Sequence, residues 1–229
     1  MHYAPRSIAF QTEVTHPLTH PDPVLIQRVH NTLFQNPDPD YKSFAVTPNG
    51  AVLSNPVTRP GAISAASFLP DRFIFREELS GLTVEDFARR VRMTSELVTR
   101  ELGIQVFTAQ QVTICSLVNP RAYKDSRAYL KQGMFGFGNE TADFGREPQL
   151  FGIRMVFPPD ADQPNAYSLR IESFNNDPRS LFLENVGSFP PMLVARGFEP
   201  LESNVLATYR FLVERALTFV GRFDARQEA

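Results

Sequence analysis

The clearest hydrophobic pattern in the chain lies between Leu150 and Val186. Three segments, FGIRMVF, YSLRIES and SLFLENV, alternate apolar and polar residues, and the gaps DADQPN and NNDPR are dense in turn formers. A period of two sends successive side chains to opposite faces of a strand, so this stretch predicts a three-stranded antiparallel meander. Phe151, Ile153, Met155 and Phe157 take one face of its first strand and Arg154 the other. On the second strand Tyr167, Leu169 and Ile171 oppose Arg170 and Glu172. On the third, Leu181 and Leu183 oppose Phe182, Glu184 and Val186.

The same reasoning extends along the chain. SIAFQTEVT at 7–15 alternates as a strand. Asp22 then caps a helix with Pro23 at its first position, and Val24, Ile26, Val29, Leu33 and Phe34 follow at helical spacing up to the turn run NPDPD at 36–40. YKSFAV and GAVLS flank Pro48-Asn49-Gly50 and read as a hairpin, because Asn-Gly suits the tight primed turns. AISAASF and RFIFREEL are two more strands. Thr83 with Asp86 three residues on forms the start of a helix, Val84, Phe87, Val91, Val98 and Leu102 line its face, and Gly103 ends it. A strand over 105–118 ends at Asn119-Pro120, and a short helix capped by Asp125 covers 125–132. A last helix, about 200–220, carries Leu201, Val205, Tyr209, Leu212, Ala216 and Val220 on one face, with Gly221 at its end.

Residues 7–103 thus read strand, helix, three or four strands, helix, and residues 105–221 read the same way. The expectation is an α+β protein of two β-α-β(3-4)-α pseudo-repeats, 1–103 and 104–229, joined in one compact unit. They would form a curved antiparallel sheet covered on one face by the long helices 83–102 and 200–220. In element order alone this pattern is similar to the saddle-shaped TATA-binding fold and the helix-grip fold, which carries no function.

Three places carry a family resemblance: DRFIF at 71–75 leading into a capped helix, VTICSLVNPRAY at 112–123, and the long closing helix. Together they resemble an uncharacterised, sporadically distributed bacterial α+β family of about this length. A strand of that family ends in an Arg-aromatic-Ile-Asn pattern. Here Asn119 matches the Asn, and Ser116 stands where the Arg would be, so any role of that Arg has no counterpart. The resemblance implies an α+β fold and no activity.

Composition narrows the classes. The 20 Phe supply the aromatic core in a chain without Trp. A formal net charge of −2 argues against a general nucleic-acid or anionic-membrane binder, which needs a basic surface. The basic residues are almost all Arg, which reflects either a GC-rich genome or selection for bidentate anion contacts. MHYAPRSIAF lacks the apolar core of a secretory signal, and no apolar run reaches the ~20 residues that cross a bilayer. A cytoplasmic protein is the expectation. The lone Cys115, in the run VTICSLV, reads as a buried inert thiol rather than a nucleophile.

The candidate site follows from the meander. Arg154, Arg170, Glu172 and Glu184 share its polar face, with Phe182 as a packing anchor and Arg179 in the preceding turn. The plain reading is a solvated face with cross-strand ion pairs; the functional one is a concave surface for an anionic ligand or a partner. The Gly-rich run GMFGFGNETADFGREP holds Met134, Phe135, Phe137 and Phe144, which either pack on the body or form an interface loop. His16 and His20 are weak metal candidates, because the prolines of HPLTHP rule out the helix that would align their rings. Gly136-Phe137-Gly138 lacks the context of a phosphate loop, and Asp160 and Asp162 read as turn acids rather than a catalytic pair. No cofactor motif and no known catalytic motif is present. The sequence therefore points to a non-enzymatic binding or assembly protein, a homo-oligomer or a subunit of a complex, acting through the sheet face and the Gly-rich loop. The alternatives are a small-molecule binder or helix-grip-like enzyme with a Phe-lined cavity, and a nucleic-acid saddle using Arg154, Arg170 and Arg179.

Overall fold

The first strand of the chain sits in the middle of the sheet. β1 (Arg6–Thr15) pairs antiparallel with β5 (Arg72–Glu78) on one side and with β7 (Ala109–Val118) on the other. The computed structural model describes residues 3–19, 22–35, 41–56 and 59–224. The turn run expected at 36–40 lies outside them. Outward from β5 come β4 (Ile63–Phe68), β3 (Gly50–Ser54) and β2 (Ser43–Thr47). Outward from β7 come β10 (Leu181–Phe189), β9 (Ala166–Ser173) and β8 (Gly152–Phe157). The nine strands form one antiparallel sheet. The expected strand 105–118 divides: β6 (Val106–Phe107) pairs instead with β11 (Met192–Leu193) in a separate two-stranded sheet. Between β6 and β7, the Thr108 N–H bonds the carbonyl of Thr15 at 2.9 Å.

Three long helices cover one face. α1 (Pro23–Gln35) begins where the Asp22 side chain accepts the Val24 N–H at 2.9 Å, and its His30 lies against Phe44 of β2. α2 (Val84–Leu102) is capped by the Thr83 hydroxyl, which accepts the Asp86 N–H at 3.1 Å and donates to the Asp86 carboxylate at 2.7 Å. Gly103, left-handed with φ 67°, ends it. Its Phe87 stacks on Phe10 of β1 with ring centroids 5.5 Å apart. Phe68, Phe73, Phe75 and Phe107 are fully buried and meet edge to face beneath it, so the rings fill the space between sheet and helices. The expected helix at 125–132 is a single turn, α3 (Ser126–Ala128), running into a π turn over Tyr129–Met134.

The closing helix is α4 (Glu199–Arg210), a π turn (Phe211–Ala216) and α5 (Leu217–Arg222). It lies close on β10 because Gly187 has no side chain; a Cβ there would come within 2.4 Å of the Thr208 hydroxyl. Beside it the buried Asn185 amide donates to the Thr208 carbonyl at 2.9 Å, and Gln110 of β7 donates to the Leu201 carbonyl at 3.1 Å. The ladder widens into the π turn three residues after Thr208, whose carbonyl takes the Asn185 amide. Thr208, in the last turn of α4, is buried, and the expected Tyr209 beside it is half-buried and packs on the core.

One charged pair is sealed in the core. Glu77 of β5 (2% exposed) meets the Arg90 guanidinium of α2, which also bonds the Ser64 hydroxyl and lies over the Tyr41 ring at 5.2 Å. Removing one member of such a pair strands the other charge out of water, whereas exchanging both for apolar residues removes the problem. Glu77→Gln should therefore lower unfolding stability in urea titrations by about 3–5 kcal/mol, with Glu77→Leu/Arg90→Leu well above the single variant. A single variant within about 1 kcal/mol of the native protein contradicts this reading.

Candidate ligand or partner face

The side of the sheet turned away from the helices presents half-exposed side chains. Cross-strand register sets them in rows. Arg154 lies opposite Arg170, Arg170 opposite Glu184, Glu184 opposite Cys115, and Cys115 opposite Ala9. One step toward the strand ends, Glu172 lies opposite Phe182 and Phe182 opposite Leu117. The alternation read from the meander is reproduced, so Arg170, Glu172, Phe182 and Glu184 converge.

Arg170 is the hub. Its guanidinium donates to Glu184 Oε2 at 3.1 Å, lies 3.7 Å from Glu172 Oε2 and sits 5.1 Å over the Phe182 ring. Phe174 stacks on the other side of this group, 6.0 Å from Phe182 and nearly parallel to it. Arg170 Nε is out of contact with water and without a partner. A cleft of about 280 Å³ opens here between Leu150, Phe174, Asn176 and the Arg170–Glu172 pair. With the Arg170 side chain 38% exposed, its ion pairs contribute little to stability, roughly 0–1 kcal/mol each. Their effect is to hold a cation flat on an aromatic ring at the open surface.

Of the other expected residues, Arg154 keeps its place opposite Arg170 and several others disperse. Arg154, exposed on the edge strand β8, donates to the Ser168 hydroxyl at 3.0 Å. Arg179 leaves the sheet: it lies in the β9–β10 turn and lines a second hollow with Arg6 and Arg121. Nothing in the period-two pattern marks Arg6 and Arg121, because their meeting with Arg179 depends on long-range pairing of β1 with β7. Met134 and Phe135 pack on the core, Phe135 lying 6.3 Å from Phe151. Phe137 and Phe144 stay exposed, at 38% and 74%. His16 is buried against Phe73, with Nδ1 2.8 Å from the Pro17 carbonyl, and burial lowers its pKa. His20 lies outside the described residues, among which no cluster of three metal-holding side chains occurs. No described helix is long and apolar enough to cross a membrane.

Cys115 faces this open side, half-buried, rather than the core, with Sγ 4.0 Å from Glu184 Oε2. Burial, and then the Glu184 charge, pushes its thiol up to about 12. No family model matches the chain, and no curated protein matches it.

A thiol with a raised pKa stays protonated through neutral pH and gains reactivity only as pH climbs toward that value. Iodoacetamide at pH 8 should alkylate native Cys115 at least about 100-fold more slowly than the urea-unfolded chain, as followed by intact mass. Equal rates contradict the burial and the charge assigned to this position.

Proposed function

We propose that the protein is a non-enzymatic binding or assembly protein whose open sheet face, centred on Arg170, Phe182 and Glu184, receives a protein partner. The observation that carries this reading is the asymmetry of the sheet. Its helix-covered face is filled by rings and aliphatic side chains. Its opposite face sets half-exposed apolar residues, Val52 on β3, Ile74 on β5 and Phe182 and Val186 on β10, among charged ones. Aromatic and arginine side chains held together are the residue types that anchor protein interfaces. Phe137 and Phe144 extend the apolar surface available for contact. The strand order, read outward from β1 and β7, supports treating the two halves as pseudo-repeats. The simplest partner is a second copy of the chain, and the setting we assign is the cytoplasm. The reading as a Phe-lined cavity is less well supported, since the core rings interlock.

Size exclusion with light scattering tests this directly. The expected mass is a multiple of 25.8 kDa, and Phe182→Asp with Val186→Asp should return it to one chain without changing the circular dichroism spectrum. A strict monomer at every concentration that co-purifies with no protein overturns the proposal.

A further inference from the structure

We propose that the hollow at the ends of β1, β7 and β10 is a receptor for a small polyanion, a molecule bearing phosphate or clustered carboxylate groups. The hollow measures about 590 Å³, within the usual range for small-molecule sites. Three arginines, Arg6, Arg121 and Arg179, line it with Asn119 and Tyr3. One acid, Asp177, lies among them, and it is already engaged: its carboxylate accepts the Ser180 hydroxyl at 2.6 Å and the Arg179 N–H at 3.3 Å. The side chains of Arg6 and Arg179 make no hydrogen bond or ion pair with any described residue, whereas Arg72, Arg90 and Arg170 each meet a carboxylate.

The backbone that carries these guanidiniums is fixed from several directions. Asp224, buried at the end of the closing helix, accepts the N–H groups of Arg121 (2.8 Å) and Ala122 (2.9 Å) and the Tyr3 hydroxyl. Arg121 lies over the Tyr3 ring at 5.9 Å. The Asn119 amide lies 2.8 Å from the Ser180 hydroxyl, and the Ser126 hydroxyl donates to the Pro178 carbonyl at 2.8 Å. Arg6 is held by register opposite Leu117. Fixed backbone with the unpaired guanidiniums of Arg6 and Arg179 lowers the ordering cost of binding, and the planar fork of a guanidinium matches two oxygens of a phosphate or carboxylate. The overall charge of −2 supplies no long-range attraction, so affinity comes from these short-range contacts and falls with salt.

Isothermal titration calorimetry with pyrophosphate and, separately, with citrate distinguishes the two sources of the chemistry. Binding of one or both at low salt is expected, with pyrophosphate alone assigning a phosphate ligand and citrate alone a polycarboxylate. Arg6→Ala and Arg179→Ala should each weaken that binding by about 10-fold or more with thermal stability unchanged. Arg154→Ala, an exposed arginine outside the hollow, should leave it unaltered. Absence of binding by both probes, equal affinity in Arg6→Ala and Arg179→Ala, or an equal loss in Arg154→Ala overturns the proposal. None of these outcomes bears on the open-face partner, which is read at Phe182 and Val186.

Discussion

The double pairing of β1 is the constraint on which the rest of the molecule depends. A strand from residues 6–15 must find residues 72–78 on one edge and 109–117 on the other. Until both pairings form there are two shorter sheets, each with an exposed central edge that invites pairing with other chains. Once they form, the edges move out to β2 and β8, and one continuous apolar face is ready for three helices. The same pairing places Arg6 beside Leu117, and so brings the N-terminal segment to the loop after β7 and the end of the closing helix.

Charged groups divide by depth, and the division sets what each pair contributes to folding. Glu77 and Arg90 are sealed between β5 and α2, where an unmatched charge is costly, so their effect is to fix how that helix seats on the sheet. Arg170 and Glu184 sit half in water, where the same chemistry adds little to folding. What the open pair does instead is shape a surface, with a guanidinium laid on Phe182 and Phe174 stacked beside it. Cys115 in the same row holds its proton because burial, and then the Glu184 charge, raises its pKa.

Much of this was legible in the residues. Period-two alternation gave the faces of β8, β9 and β10 without error, because antiparallel pairing preserves that alternation from strand to strand. Thr83, Asp86 and Gly103 marked both ends of α2, because capping is local chemistry. Three features were not legible. The break at Thr108 comes where β6 turns away to pair with β11, distant in sequence. The π turn after Arg210 lies beside the Asn185–Thr208 bond between β10 and the helix, and helical periodicity does not mark it. The arginine-lined hollow assembles from positions 6, 121 and 179, which no window of sequence contains. Sites built on one element were readable; those built by topology were not.

The open sheet face and the hollow are both consequences of one strand placed centrally. Native-state amide hydrogen exchange tests this most directly, because it resolves the order in which parts of a fold open. Amides of Phe10, Thr12 and Val14 should exchange only through global unfolding, with a free energy equal to that from urea titration. Those of the edge strands β2 and β8 should exchange through smaller openings. If the β1 amides exchange ahead of those of β8, the sheet is not organised around β1 and the account fails.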